Sequence, residues 1–268
     1  MAVLEFAVAD TATIAQRNLV KVFRVPELLF SVLITPLMFV PLFAYVFGSS
    51  IEIPGGSYRE FLIAGTFALS LTFGAVFTGA GLAEDMKNGV IDRFRSLPMS
   101  RAAVVVGRTI SDMLYNVLSL VVMSLAGLAV GWRIHSSVGE AALGFALLLL
   151  FAYAVSWVLA FVGLLVPSPE VVSNVASAVI FPLTFIANTF SPSENFPGPL
   201  RLVAEWNPVS SVTQAARELF GNIPAHTPEP DAWSLQHPVV YTLLWVGATI
   251  CVFGPLAVRR YERAGQKR

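Results

Sequence analysis

Six long apolar stretches set the limits on what this chain can fold into. They run approximately over Leu28–Gly48, Phe61–Ala83, Met113–Gly131, Ala141–Val166, Val171–Phe190 and Val239–Val258. Each is close to the roughly 20 apolar residues that an α-helix needs to cross a bilayer. Only 13% of the residues are charged, against about 25% in soluble domains, and 56% are hydrophobic. The sequence therefore predicts an all-α membrane protein with six transmembrane helices within residues 28–258.

The distribution of Lys and Arg predicts which helix ends face the cytoplasm. Residues 17–24, 87–108 and 259–268 hold 13 of the 17 Lys and Arg residues, and all three segments fall on one side of a six-helix arrangement. The other side holds Arg59, Arg133, Arg201 and Arg217. Because positive charge is concentrated on the cytoplasmic side of membrane proteins, both termini are predicted to be cytoplasmic. Residues 259–268 are then a short basic cytoplasmic tail.

Residues 1–27 are predicted to contain an amphipathic helix on the cytoplasmic membrane surface. The helix has a capping-box pattern at its start, from Thr13 to Gln16. Arg17, Lys21 and Arg24 share one face, opposite an apolar face. Such a basic amphipathic helix before a membrane span favours an interfacial position. The alternative is a segment that only fixes the topology.

The stretch EDMKNGVIDRFRSLPMSR, residues 84–101, is a charged island between two apolar runs. Its periodicity predicts a short amphipathic helix over residues 84–98, with the acidic residues at the amino-terminal end, where a helix favours anions. Its apolar face consists of Val90, Ile91, Phe94 and Leu97. The surface suits the docking of another protein. A solvated loop that only marks the cytoplasmic side is the alternative.

Few charges fall within the apolar stretches. Asp112 is the exception, but the third helix is predicted to run from Ser100 to Trp132, about 46 Å, which is longer than the hydrocarbon core. Arg108 and Asp112 are therefore expected to form an i,i+4 pair near the interface, and Asp112 is not expected to be buried. Polar residues in or near the spans are expected to serve helix packing more often than ligand binding: Asn116, Asn174, Thr184 and Asn188.

The connection over residues 191–238 is long and contains its own helix. Asn207 and Pro208 are a strong helix start, and Gly221 is a stop signal. One face of the intervening segment is apolar. This pattern predicts a re-entrant or interfacial cap on the outer side of the bundle, with an ordinary surface helix as the alternative.

These features together resemble the ABC-2 type permeases, the membrane subunits of ATP-binding-cassette exporters, and among them the daunorubicin-resistance-like bacterial permeases. The family pattern after the second span maps onto Glu84, Asp85, Gly89, Arg93, Pro98 and Arg101, and Phe94 is a further candidate for coupling to the ATPase. In the outer segment the family pattern maps onto Pro197, Asn207, Pro208 and Arg217. Phe196, Trp206 and Phe220 are candidates to pack in the outer cap, with ordinary aromatic core packing as the alternative. The resemblance covers essentially the whole chain.

The resemblance implies a mechanism and a set of partners. Two permease chains, identical or related, pair across a central pathway, and two copies of an ATP-binding subunit dock beneath them. The helix after the second span acts as a coupling helix on the ATPase, and the outer segment closes the exit. ATP and Mg bind to the partner ATPase, so the permease itself has no cofactor and is not an enzyme. The expected cargo is a drug, lipid or glycan that crosses the bacterial plasma membrane, and no nucleic acid is involved.

Two other function classes are compatible with a membrane bundle. An ion-coupled secondary transporter usually has internal repeats or ionisable groups at membrane depth, and neither is evident in the sequence. A membrane enzyme needs clustered catalytic groups, whereas His135, His226 and His237 are scattered. The chain also has no GxxxxGK[ST] phosphate loop, so ATP hydrolysis is expected in another polypeptide.

Overall fold

The computed structural model describes residues 38, 40–46, 56–90, 101–166, 168–223 and 230–263. These residues form eight α-helices and one 3₁₀ turn, Ser193–Asn195, and they contain no β-strand. In chain order the helices are α1 Tyr58–Lys87, α2 Arg101–Ala129, α3 Val138–Leu165, α4 Pro169–Ile186, α5 Gly198–Glu205, α6 Pro208–Phe220, α7 Trp233–Gln236 and α8 Pro238–Arg263. Residues 40–46 are helical as well.

Five of the helices are long and apolar enough to cross a membrane. They are α1, α2 from Val105 onwards, α3, α4 and α8, and they correspond to the second to sixth predicted spans. Most of the first predicted span lies outside the described residues, as do the interfacial helix and its Arg17, Lys21 and Arg24. The described residues are therefore all-helical, as predicted, and include five helices that could cross a membrane by length and composition; the six-span count and the interfacial helix stay predictions.

Helix α3 is the centre of the bundle and packs most extensively against α1 and α8. Two glycines allow its close approach to α1. A β-carbon on Gly163 would overlap the carbonyl oxygen of Gly79, and one on Gly79 would lie 2.6 Å from the carbonyl oxygen of Leu159. Small residues at such crossings are typical of membrane helices, because packing rather than the hydrophobic effect holds them together.

Local signals explain where α3 and α4 begin. The Ser137 hydroxyl accepts from the backbone N–H of Glu140, whose carboxylate accepts from the N–H of Ser137, a capping box. Ser168 caps α4, and Pro169 occupies its first turn, where no N–H donor is needed. Each cap satisfies a backbone N–H group in the first turn of its own helix.

The predicted fifth span, Val171–Phe190, is wrong at its end because α4 stops at Ile186. The following backbone turns away to bond with the outer segment: the N–H of Asn188 donates to the Ser210 hydroxyl over 3.0 Å. Tertiary hydrogen bonds here replace the next helical turn.

The prediction that Glu84 and Asp85 begin a separate helix is also wrong. Helix α1 is 30 residues long and continues through both residues to Lys87. Glu84, Met86 and Lys87 are good helix formers, so the helix leaves the apolar stretch without a break. It ends at Asn88 and Gly89, and Gly89 has a φ of +66°, a conformation that favours glycine.

The helices alternate in direction, so the bundle has two ends. We call one the coupling end: it comprises the end of α1, the start of α2, residues 166–170 and the end of α8. We call the other the cap end: it comprises the starts of α1, α3 and α8 and residues 187–237. Side-chain contacts join each end internally, such as Lys87 with Glu170 at the coupling end and His135 with Glu60 at the cap end.

Candidate transport site

The central groove is a cavity of about 440 Å³ between α1, α2 and α4. Its walls are formed by four phenylalanines, small aliphatic residues and a set of neutral polar side chains. The aromatic residues are Phe73, Phe77, Phe181 and Phe185. The polar residues are Thr66, Ser70, Tyr115, Asn116, Ser119, Ser173 and Ser177. None of the described residues that line it is a carboxylate, lysine, arginine or histidine.

The polar side chains of the groove are held in place by neighbouring helices. The hydroxyls of Ser70 in α1 and Ser119 in α2 are 3.1 Å apart, within hydrogen-bond distance. Asn116 is buried, and its side chain fills the space above Gly74, where a β-carbon would lie 2.5 Å from its Oδ1 atom. The groove therefore offers fixed neutral hydrogen-bonding groups on an apolar, aromatic wall, a pattern typical of ligand pockets.

One side of the groove is formed by a helix that is poorly packed. Only 22% of the membrane window of α4 is buried, against 67% for α1. Val175, Val179 and Phe181 are all at least 50% exposed, and Phe185 is 38% exposed. A surface of this kind in a helix bundle is a candidate contact with another helix or with lipid.

A second cavity, the charged vestibule, lies at the coupling end and measures about 390 Å³. Its lining includes Glu84, Lys87, Asn88, Arg108, Asp112 and Glu170. It shares Phe77, Ala80 and Tyr115 with the central groove. The rings of Phe77 and Tyr115 are stacked with their centroids 6.3 Å apart. The two cavities thus adjoin one another at an aromatic pair.

Arg108 joins α1 and α2 inside the vestibule. Its Nε donates to Asp112 over 3.1 Å, its Nη2 donates to the carbonyl of Phe77 over 3.2 Å, and Asp85 lies 3.9 Å from Nη1. Its guanidinium occupies the space beside Gly81, where a β-carbon would overlap it. The predicted Arg108–Asp112 pair is confirmed, but the expectation that Asp112 is not buried is wrong: its side chain is 3% exposed. The Arg108 side chain shields the Asp112 carboxylate from solvent and donates a hydrogen bond to it.

Lys87 and Glu170 connect the two parts of the coupling end. Lys87 belongs to the last turn of α1, and Glu170 to the first turn of α4, and their side chains approach to 3.9 Å. Both side chains are more than half exposed, so the pair contributes little to stability. The pair nevertheless links α1, which leads into the predicted coupling segment, to α4, which forms one wall of the central groove.

The predicted coupling residues are only partly described. Glu84, Asp85 and Gly89 lie at the end of α1, and the first two of these face neighbouring charged groups of the vestibule region. Arg93, Phe94 and Pro98 lie outside the described residues. Arg101 begins α2, and its side chain is outside them as well.

Arg217 fixes the outer segment to the bundle at the cap end. The residue is 2% exposed, and its guanidinium lies 3.4 Å from the ring centroid of Phe61. Its Nε donates to the carbonyl of Phe61 over 3.0 Å, and its Nη2 donates to the carbonyls of Asn188 and Thr189 over 2.8 and 3.4 Å. Burial lowers the pKa of Arg217 to about 9, so it stays charged at neutral pH. The carbonyls of Phe61 in α1 and of Asn188 and Thr189, which follow α4, thus stabilise the charge by accepting its hydrogen bonds.

The remaining predicted cap residues lie in two different environments. Asn207 caps α6 through its Oδ1, which accepts from the N–H of Val209, and Pro208 is the first helical residue, as predicted. Phe196, Pro197 and Trp206 lie at or near the surface. Of the aromatic residues expected to pack in the cap, only Phe220 enters the core, where it contacts Phe67, Trp132 and Phe145. Helix α6 packs against α1, α3 and α8, so it lies within the bundle.

The sequence reasoning did not single out the serines of the central groove. A signal was present: Ser173 and Ser177 are spaced i,i+4, and Asn116 and Ser119 are spaced i,i+3, so each pair shares one helix face. In the described part of the chain, no group of three or more His, Cys, Asp or Glu side chains lies close enough together to hold a metal ion.

Comparison with known proteins gives a consistent result. The family described as ABC-2 type transporter matches residues 10–220. The chain is 30% identical, over 96% of its length and 87% of the relative's, to the daunorubicin resistance ABC transporter permease protein DrrB1 of Streptomyces coeruleorubidus. It is 24% identical, over 80% of its length and 75% of the relative's, to the transport permease ycf38 of Porphyra purpurea.

Proposed function

The chain belongs to the ABC-2 type transporter family, and from this premise we propose that it is the permease subunit of an exporter for amphipathic or lipid-like compounds. Family membership implies association with an ABC ATPase subunit. The similarity to a permease named for daunorubicin resistance supports a drug-like substrate. We place the protein in the bacterial plasma membrane with both termini in the cytoplasm, in agreement with the distribution of Lys and Arg.

The central groove is the observation that carries this proposal. Its aromatic walls suit a flat or branched apolar body, and its hydroxyl and amide groups suit substrate oxygens or nitrogens. A substrate that fits such a surface is apolar over most of its area and carries a few neutral hydrogen-bonding groups. Lipids, glycolipids and many drugs share these properties.

The open side of the groove supports a pathway made by two permease chains. The exposed face of α4 leaves one wall incomplete, and a second copy or a related chain would supply the opposite wall. Two ATPase subunits, which bind ATP and Mg, would dock at the coupling end through residues 84–101. ATP-driven closure of these subunits would then move α1 and α4 as rigid bodies and change access to the groove.

Reconstitution separates this function from an ion-coupled secondary transporter. The chain is purified from its native membrane, together with any nucleotide-binding subunit that accompanies it, and is placed in vesicles loaded with a fluorescent amphipathic drug. We expect transport that requires ATP and survives collapse of proton and sodium gradients. Transport that persists without ATP and stops when the gradients collapse would mean that the exporter assignment is wrong.

The role of the coupling segment has a separate test. Reversal of charge at both Glu84 and Arg93 should abolish ATP-driven transport while the protein still inserts and pairs. The matched control reverses the charge of Glu194, which is exposed at the cap end. Unchanged transport in the Glu84 and Arg93 variant would mean that residues 84–101 only fix the topology and do not couple the permease to the ATPase.

A further inference from the structure

A third cavity, which we call the lateral groove, lies on the other side of α2. It has a volume of about 370 Å³ and lies between α2 and α3. Its lining is apolar except for one hydroxyl: Val117, Leu120, Val121, Ser124, Leu125, Leu128, Trp132, Ile134, Phe145 and Leu149. That hydroxyl, on Ser124, already donates to the carbonyl of Leu120 in its own helix over 2.7 Å. Because this hydroxyl is already hydrogen-bonded, a ligand needs no polar group along the length of the groove.

The lateral groove faces away from the central groove. Four α2 residues line the central groove and six line the lateral groove, and at 3.6 residues per turn the centres of the two sets lie about 150° apart around the helix. The central set is Tyr115, Asn116, Ser119 and Met123, and the lateral set is Val117, Leu120, Val121, Ser124, Leu125 and Leu128. If a second permease chain completes the central groove, the lateral groove is turned towards the bilayer. Val121 and Leu125 are 50% and 62% exposed, in agreement with contact with lipid.

The length of the lateral groove matches one leaflet. From Val117 to Leu128 the helix rises about 17 Å at 1.5 Å per residue. The hydrocarbon core is about 30 Å thick, so one leaflet is about 15 Å deep. An extended acyl chain from a lipid in the cap-end leaflet would fill the groove from end to end.

A basic side chain lies at the cap end of the lateral groove. Arg133 is exposed, and its Nη1 donates to the carbonyls of Leu128 and Trp132 over 2.8 and 2.7 Å. Leu128 and Trp132 both line the groove, so the guanidinium is fixed at its mouth. Arginine forms strong charge-assisted hydrogen bonds with phosphate. We propose that the lateral groove and Arg133 bind one anionic phospholipid of the cap-end leaflet, with an acyl chain along α2 and the phosphate at Arg133.

Native mass spectrometry of the purified full-length chain, titrated with phosphatidylglycerol or phosphatidylcholine, tests this proposal. We expect the wild type to retain phosphatidylglycerol in preference to phosphatidylcholine. Val121→Trp should lose both lipids because the new side chain fills the groove. Arg133→Gln should keep an acyl chain but lose the preference for phosphatidylglycerol by about tenfold, the ratio for loss of roughly one charge-assisted hydrogen bond.

Matched controls distinguish this site from ordinary boundary lipid. Leu244→Trp places the same bulk at another apolar position, which is 61% exposed on α8, and Arg201→Gln removes a cation at the cap end that carboxylates already bind. Both should bind lipid like the wild type. Wild-type retention by Val121→Trp, or an unchanged preference in Arg133→Gln, would contradict the proposal. A change in oligomeric mass with Val121→Trp at unchanged lipid number would show that the groove holds a second protein chain instead.

Should Val121→Trp fail to fold, Val121→Phe with Leu125→Phe fills the groove in smaller steps. The lipid proposal rests on the proposed function in one respect: a second permease chain completes the central groove, so that the lateral groove faces the bilayer. Lipid retention is measured without substrate or ATP, so loss of transport and loss of this lipid site are separate results.

Discussion

Asn116 occupies the space that a β-carbon on Gly74 would need, because its Oδ1 atom lies 2.5 Å from that position. The two residues belong to α2 and α1, and both line the central groove. The close approach of these helices and the position of the amide thus depend on each other.

Gly74→Ala should therefore disturb the central groove. Overpacking of this kind costs about 1–3 kcal/mol, so we expect a lower Tm in detergent and weaker transport of the drug in vesicles. The control is Gly247→Ala in α8, where a β-carbon would meet nothing within 4 Å. A second change, Asn116→Ala, should restore the Tm of Gly74→Ala without restoring transport. Equal transport in both variants and the wild type would exclude the groove from the pathway.

Arg217→Met should loosen the outer segment from the bundle. The variant removes three donated hydrogen bonds and leaves the carbonyls of Phe61, Asn188 and Thr189 without this partner. Each unsatisfied buried group costs about 1–3 kcal/mol, so Met is expected to destabilise the protein more than Lys, which retains a charge and some donors. Limited proteolysis of the purified protein and thermal unfolding measure the effect. Equal stability of the Met, Lys and wild-type proteins would mean that the contacts of Arg217 do not hold the cap.

Lys87→Glu should impair the coupling of ATP hydrolysis to transport. It places two acids together where α1 and α4 now hold an ion pair at 3.9 Å. We expect drug-stimulated ATPase activity of the complex to fall several-fold, and basal hydrolysis to stay close to that of the wild type. Because the pair is exposed, the Tm should change by little.

The reversed pair, Lys87→Glu with Glu170→Lys, is the decisive comparison for this link. It restores opposite charges in the other order, and it should recover most of the stimulation. If the double variant is as impaired as Lys87→Glu, the lysine acts by itself and the link to Glu170 has no role in coupling.

Val179→Cys should form a disulfide between two permease chains. Val179 is 62% exposed on the open face of α4, where the second chain is proposed to pack. The native Cys251 is exposed, so Cys251→Ser is the background for the experiment. Oxidation in native membranes should yield a dimer on non-reducing gels. Leu244→Cys on α8 is the control and should stay monomeric; cross-linking at Leu244 but not at Val179 would move the interface to α8.

Much of the fold follows from local signals in the sequence. The length of each apolar run predicts the spans, and Asn207, Pro208 and Gly221 predict the limits of α6, because each acts within one turn of its own helix. The Arg108–Asp112 pair follows from i,i+4 spacing for the same reason.

The central groove could not be predicted in this way. Its residues come from three helices, and helix α3, which holds them together, is apolar on all sides, so its sequence does not indicate which neighbour each face meets. Glu84 and Asp85 show a related limit: acidic residues suit the first turn of a new helix, but they also fit the end of a long one. The burial of Asp112 depends on how the Arg108 side chain folds back onto α1, which spacing alone does not determine.

The outer segment is also joined to the connection between α2 and α3. Trp132 Nε1 donates to Asn222, Asn222 donates to the carbonyl of Arg133, and the N–H of His135 donates to the carbonyl of Phe220, all over 2.8 to 2.9 Å. These hydrogen bonds and those of Arg217 hold α6 against the rest of its own chain on two sides. A lid that lifts away from the bundle would break both sets of contacts at once. We therefore expect the outer side of the pathway to open by rigid-body separation of the two permease chains, and the outer segment of each chain to move together with its own bundle.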